Sequence, residues 1–308
     1  MRLMLIVNPI ASSVTRRARI VIQKALAADH EVTLVETTRK GQAIRLAHGA
    51  ARSGTDVVVA LGGDGTINEV VNGLLGESCR VAPLPGGSTN VFARAVGYPN
   101  DAVEATGTLL EALAADSVIE ASVGMANKRA FLFHVGAGFD ASVVARVERR
   151  GQLKRYVGHP FFLATTLATW FQQINDRSSF TVRTADGRVV SRARLAIAMN
   201  TTPYTYLGTK PLHLAPEAGL DTPLSMATLT SLSPWVLPNL LYSVRRPAGL
   251  ASRSGATHWA DVESAVITSE TPFPYQLDGE ALDPVTELYL EHRPRAIHLV
   301  APTNGVDD

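Results

Sequence analysis

Cysteine is almost missing from this chain of 308 residues: Cys79 stands alone. No internal disulfide framework can form, which fits a reducing compartment. Charge of one sign is missing too. Lys and Arg number 29 against 28 Asp and Glu, for a formal net charge of +1. That leaves no molecule-wide field of the kind a nucleic-acid binder uses, so no nucleic-acid partner is expected. The eight histidines show no metal-ligand spacing, and with one cysteine a zinc site lacks its ligands. No long hydrophobic run is present. The longest near-apolar segment, Phe161 to Phe171, supplies about half of the ~20 residues a bilayer span requires. The opening run Arg2–Val7 is short and lacks an A-x-A cleavage pattern, so no signal peptide is expected. The resulting expectation is a cytoplasmic protein, with any membrane contact peripheral, at the inner surface. Neither an internal repeat nor a low-complexity linker interrupts the chain. What remains, 46% hydrophobic against 19% charged residues, describes a globular chain long enough for one large domain or two ordinary ones.

The first third alternates strand and helix signals. Residues 3–7 read as a buried strand ending in the turn Asn8-Pro9. Apolar positions at helical spacing follow over 15–27, then a strand at 31–35, a loop Thr37-Thr38-Arg39-Lys40-Gly41, and a helix through 43–51. Val57–Ala60 is a third strand and Val81–Leu84 a fourth. Such alternation predicts a parallel sheet covered on both faces. Ligands of such sheets bind beyond the carboxyl ends of the strands.

Two glycine-rich loops leave those strand ends. The first is Gly62-Gly63-Asp64-Gly65-Thr66, leading to a helix from Ile67-Asn68-Glu69. The second is Pro85-Gly86-Gly87-Ser88-Thr89-Asn90, leading to a helix over 91–96. A glycine-rich turn that opens a helix offers amide N–H groups and the positive end of the helix dipole, which suits phosphate. An acid in such a loop suits phosphate when a cation lies between them, so phosphate with Mg²⁺ is the reading of Asp64. One glycine loop alone is a weak signal. Two adjacent ones favour a nucleotide-phosphate cradle.

From about residue 118 short strand runs recur, one of them over Val189–Asn200, with a good two-residue hairpin turn at Asp186-Gly187. This portion reads as mainly antiparallel β, interrupted by helices near 141–149 and 157–174. The expected division is an α/β domain over 1–125 and a β-rich domain over 126–308, whose last strand could pack back on the first. Within it, Asp278-Gly279-Glu280 places two carboxylates around a glycine. Asp-Gly is also the commonest turn pair. The chemical reading makes one carboxylate a general base for an attacking hydroxyl and the other its orienting partner. His134 in its strand reads as a packed histidine. The mixed basic and apolar segments 147–171 and 235–246 read either as solvated faces or as contacts for anionic lipid.

With these motifs in view, the chain resembles the diacylglycerol kinase catalytic-domain family, in particular soluble bacterial lipid kinases related to sphingosine kinases. The resemblance rests on Asn8-Pro9, on Gly62–Thr66 followed by Asn68-Glu69, and on Pro85–Asn90 followed by Val91-Phe92-Ala93-Arg94. Gly136-Ala137-Gly138-Phe139-Asp140 and Leu277-Asp278-Gly279-Glu280 complete it. It implies an N-terminal α/β domain of the phosphofructokinase and NAD-kinase kind, a β-sandwich-like second domain, and nucleotide in the cleft between them. It further implies ATP and Mg²⁺ as cofactors and a lipid alcohol as substrate. The phosphates would lie on Gly62, Gly63, Asp64, Gly65, Thr66, Ile67 and Asn68. Thr37, Gly87, Ser88, Thr89 and Asn90 would complete the nucleotide site. Asp64 would engage Mg²⁺ through water, Glu280 would accept the proton of the lipid hydroxyl, and Asp278 would assist. Where many relatives have Gly-Thr-x-Asn-Asp, Val91 stands in place of the acid. Ala218-Gly219-Leu220 stands where relatives tend to have Asp-Gly-Leu, which bears on an accessory metal site.

An ATP- and Mg²⁺-dependent lipid kinase is therefore the leading expectation. An NAD kinase, which shares the Gly-Gly-Asp-Gly loop, is the alternative enzyme. A nucleotide- or lipid-binding regulator without catalysis is the alternative of another class. Oligomeric state is not read from the sequence, and a homodimer stays open.

Overall fold

The structure is a computed structural model that describes residues 1–149, 178–233 and 256–303. The chain divides into two compact units, Met1–Val123 with Pro294–Asp308, and Gly124–Arg293.

The first unit is built from β1 (Arg2–Val7), α1 (Arg16–Leu26), β2 (Glu31–Glu36), α2 (Gln42–Arg52), β3 (Val57–Gly62), α3 (Asp64–Leu74), β4 (Arg80–Pro85), α4 (Val91–Ala95) and α5 (Ala102–Ala114). Its strands pair in parallel in the order β4-β3-β1-β2. Every residue of β3 is buried, as expected for a central strand with both faces covered. The helices start on local chemistry. Thr15 caps α1 by accepting from the Ala18 amide, and Asp101 caps α5 by accepting from the Val103 and Glu104 amides. Helix α5 was not expected from the sequence, although Asp101 followed by Glu104 is a capping signal.

β5 (Val118–Ala126) leads into the second unit, with β6 (Arg129–Phe131), β7 (His134–Gly138), α6 (Phe139–Arg149), β8 (Phe180–Thr184), β9 (Val189–Ala193), β10 (Leu195–Met199), β11 (Thr205–Leu207), β12 (Lys210–Leu212), β13 (Leu224–Leu229), β14 (Ala256–Val262), β15 (Ser264–Leu277) and β16 (Glu280–Val300). The main pairings here are antiparallel, in the order β14-β13-β10-β7-β15-β16. Its core gathers Phe131, Val182, Leu277, Leu288 and Leu290 with their neighbours. The last part of β16 belongs to the first unit, where His298 and Leu299 pair in parallel with Arg80 and Val81 of β4.

Three readings are corrected. Helix α3 begins at Asp64 and not at Ile67, because extended Gly63 caps it and Gly65 and Thr66 join its first turn. The single strand expected over 189–200 is two, β9 and β10. Ala193 still pairs with Phe180 of β8, and past Arg194 the chain changes partners to β7 and β13. The connection at Asp186-Gly187 spans four residues, closed by the Thr184 amide donating to the Arg188 carbonyl. The helix expected over 157–174 and the segments 150–171 and 235–246 lie outside the described residues.

Candidate active site

In the first unit, the two glycine loops lean on one another. The Gly86 amide donates to the Gly62 carbonyl at 2.8 Å. A methyl group on Gly86 would come within 2.9 Å of the Gly62 Cα, and one on Gly87 within 2.8 Å of the Gly63 Cα. Side chains there would drive the loops apart, so part of the glycine content serves this backbone contact. Ser13, in the connection between β1 and α1, supports the second loop. Its amide donates to the Gly86 carbonyl and its hydroxyl to the Gly87 carbonyl, both at 2.9 Å. Asn8 supports the first by donating from Nδ2 to Thr66 Oγ1 at 3.1 Å.

Asp64 joins the two helices that the loops open. Its Oδ2 accepts from the Val91 amide at 3.1 Å and its Oδ1 from the Phe92 amide at 3.0 Å. The carboxylate thereby occupies the first turn of α4, where amides and dipole favour negative charge. Burial pushes its pKa upward, against those two amides and the nearby Arg94 cation. Helix α3 itself has no side-chain cap. Asn90, in the left-handed conformation (φ 51) and nearly fully buried, folds back on its own loop. Its Oδ1 accepts from the Gly87 amide at 2.7 Å, and its Nδ2 donates to the Gly87 carbonyl and to Asn100 Oδ1. Glu69 accepts from the Gly41 and Ala43 amides, supplying the charge that the start of α2 otherwise lacks.

The expected nucleotide contacts of this unit therefore differ in what they can offer. Gly65 and Ser88 are exposed, and a Cβ on Gly65 would meet open space. Ile67, Asn68 and Asn90 are buried, so their side chains shape the loops. Thr37 follows β2, and its amide donates to the Val7 carbonyl at 2.8 Å.

In the second unit, Asp278 and Gly279 form the two-residue turn between β15 and β16, with Leu277 paired to Glu280. Both turn residues have positive φ, 48 and 78, which is the primed turn that fits strand twist and favours Asp-Gly. The Asp278 side chain is committed to backbone. Its Oδ2 accepts from the Leu132 amide at 2.7 Å, and its Oδ1 from the Phe133 and His134 amides at 3.0 and 3.1 Å. Glu280 lies one step beyond the turn, where Arg129 meets both of its oxygens, Nη2 to Oε2 at 2.8 Å and Nη1 to Oε1 at 3.2 Å. The sequence reading missed Arg129 because its partner lies 151 positions away. His134 is buried, and burial lowers its pKa to about 3. Among the described residues its Nδ1 has no hydrogen-bond partner, and its ring lies against Tyr204, centroids 4.4 Å apart, in keeping with a packed neutral imidazole.

A protein-caged metal does not fit this donor set. Among the described residues no three acidic, histidine or cysteine side chains gather to hold an ion. Mg²⁺ carried in by phosphates, with mostly water and phosphate oxygens around it, asks for less. Each Asp64 oxygen keeps a lone pair beyond the amide it accepts, which suits it to receive a metal-bound water.

The fold is a mixed one. A parallel α/β portion ends in two glycine loops, and an antiparallel portion ends in an Asp-Gly-Glu turn. Solved structures share it along nearly the whole chain. A diacylglycerol kinase from Bacillus anthracis matches with a TM-score of 0.74 at 22% identity, covering 99% of this chain and 98% of that one. An NAD kinase from Archaeoglobus fulgidus in complex with ATP matches with a TM-score of 0.54 at 13% identity, covering 99% and 95%. In sequence, residues 2–126 match the diacylglycerol kinase catalytic domain. The diacylglycerol kinase of Bacillus subtilis is 39% identical over 121 residues, 38% of this chain and 39% of that protein. That of Staphylococcus haemolyticus is 34% identical over 143 residues, 46% and 41% respectively. The chain thus spans about two fifths of the length of the curated relatives it matches.

Proposed function

We propose that this protein is a lipid kinase that moves the γ-phosphate of ATP, with Mg²⁺, to the hydroxyl of diacylglycerol or a related lipid alcohol. The observation that carries the reading is the pair of interlocked glycine loops at the ends of β3 and β4, in a segment that matches the diacylglycerol kinase catalytic domain. The loops open α3 and α4, and α3 has no side-chain cap, so no capping side chain competes with phosphate for the amides at its start. Gly62, Gly63, Gly65, Thr66, Gly87, Ser88 and Thr89 would line the phosphates, and Thr37 would sit nearer the nucleoside. Bound Mg²⁺ would neutralise charge on the phosphate oxygens, with Asp64 receiving one of its waters.

In this reading the lipid hydroxyl oxygen bonds to the γ-phosphorus as the bond to the β,γ-bridging oxygen breaks, and ADP leaves. The hydroxyl proton passes to the Glu280 carboxylate. Phosphoryl transfer asks mainly for alignment and charge neutralisation, so the role of Asp278 is to fix the turn on which Glu280 stands. Arg129 holds the Glu280 carboxylate in one orientation. Contact with the membrane would be peripheral, since no described helix is long and apolar enough to cross a bilayer.

The test is incubation of the purified protein with γ-labelled ATP, Mg²⁺ and dispersed diacylglycerol, sphingosine and related lipids, with NAD as a parallel acceptor. Label in a lipid supports the reading, and Glu280→Gln should abolish it while nucleotide still binds. No labelled lipid under any dispersion, or label in NAD alone, overturns it.

A further inference from the structure

The segment Gly136-Ala137-Gly138-Phe139-Asp140 has no part in the chemistry above, yet it is tied to the turn that carries Glu280. Gln276 of β15 lies opposite Gly136 of β7 and is fully buried. Its Oε1 accepts from the Gly279 amide at 2.8 Å, and its Nε2 donates to Asp140 Oδ2 at 2.8 Å. The Gly279 N–H can only donate, so the Gln276 carbonyl must face the turn and its amide nitrogen must face Asp140. Asp140, also buried, accepts there and accepts again at Oδ1 from the Tyr204 hydroxyl at 2.6 Å. The arrangement depends on Gly136, because a methyl group at that position would lie 1.8 Å from Asp140 Oδ2 and 2.9 Å from Gln276 Nε2. Three separate stretches of chain are joined in a line, the Tyr204 hydroxyl to the Asp140 carboxylate and that carboxylate to the Gln276 amide, whose far end holds the residue next to Glu280.

We propose that Gln276, oriented by Asp140 and Tyr204, is a positioning residue for phosphoryl transfer, holding the Asp278-Gly279 turn so that Glu280 stands at a fixed place. This rests on the lipid-kinase reading of the Glu280 turn. Gln276 and Asp140 would touch neither substrate nor nucleotide and would act only through the turn. A chain of buried hydrogen bonds is stiff when every member is satisfied and costly when one is reversed. Polarity is therefore the property to probe.

Gln276→Glu sets two carboxylates face to face, and Asp140→Asn keeps one acceptor but puts an NH₂ where the second stood, so that either Gln276 or the Tyr204 hydroxyl loses the oxygen it donates to. The double variant restores one donor and one acceptor in reversed order, with the new carboxylate at position 276 still accepting from the Gly279 amide. Each single change should lower kcat for lipid phosphorylation by about 10- to 100-fold, the range expected when a reacting group is displaced by around an ångström. KM for ATP should not move. The double variant should regain most of the lost rate. Amide exchange across residues 277–281 should quicken in each single variant and slow again in the double. Tyr204→Phe, a milder change that keeps the ring, should give a smaller loss of the same kind and serves if a charge variant fails to fold. Single variants with normal kcat, or a double variant no better than the worse single, would overturn the proposal. If the exchange pattern appears but wild-type protein labels no lipid, the relay exists and its catalytic role is refuted along with the lipid-kinase reading. Normal exchange in a protein that does label lipid would refute the relay alone.

Discussion

Asp278→Ala offers the sharpest division between a structural and a chemical carboxylate. Three buried main-chain amides, of Leu132, Phe133 and His134, donate to this one side chain. Stranding a buried donor costs about 1–3 kcal/mol, so losing the shared acceptor should cost about 3–6 kcal/mol, water relieving the part it can reach. Alanine at a φ of 48 adds roughly 1 kcal/mol, since it tolerates the left-handed region less well than Asp. Asp278→Asn keeps an acceptor for two of the amides and turns an NH₂ toward the third, so its cost should be about 1–3 kcal/mol. For a unit of this size each kcal/mol moves the unfolding midpoint by about 2–4 °C. The alanine variant should therefore unfold about 10 °C or more below wild type and the asparagine variant about 5 °C below. Near-UV circular dichroism on heating measures both, and hydrogen exchange at residues 132–134 locates the loss. An alanine variant that unfolds at the wild-type temperature with unchanged exchange there would refute the reasoning. If such a variant also failed to transfer phosphate, Asp278 would return to a direct chemical role.

Gly87→Ala should weaken ATP binding measured by calorimetry, because its Cβ would push at 2.8 Å against Gly63; unchanged affinity would mean the loops yield freely. Arg129→Met should change stability by less than about 1 kcal/mol, as expected for a partly exposed ion pair, while lowering lipid phosphorylation; equal stability with equal rate would remove Arg129 from the site. Burial holds the His134 pKa at about 3, below the ~6.5 of an unfolded chain, so between these values only the unfolded state takes up the proton. Stability from this group is full above about pH 6.5 and falls by about 1.4 kcal/mol per unit as pH drops toward 3. His134→Phe should flatten that slope between about pH 6.5 and 5 in denaturant titrations, and an unchanged slope would show that His134 is accessible to protons in the folded state.

The first unit was legible because its signals are local. Buried β-branched runs, glycine turns and helical spacing follow each other within a few residues, and the resulting strands and loops appear where expected. The start of α3 was misplaced because the apolar pattern begins at Ile67, whereas the backbone becomes helical as soon as Gly63 can cap it. The second unit was legible only in kind. Strand signals name strands, but pairing is decided across long stretches of chain, so neither the break at Arg194 between β9 and β10 nor the 21-residue length of β16 could be read. The same holds for the site. Asp64 and Asp278 stood out as acids beside glycines, while their bonds to amides 27 and 146 positions away did not. Gln276 carried no signal at all, since a lone glutamine in a strand reads as an exposed polar residue until its partners are known.

The first unit is completed by residues that follow the second in the chain. Residues 298 and 299 pair with β4, the Tyr98 hydroxyl donates to the Val300 carbonyl, and the Ala301 amide donates to the Ser117 carbonyl. A ribosome delivers those residues only after all of the second unit has emerged. Until then β4 has an open edge able to pair with any strand that drifts past. The segment that matches the kinase catalytic domain, residues 2–126, is thus not a unit that synthesis can finish and set aside. Released by itself it would keep that open edge and invite aggregation, and only the late strand closes it.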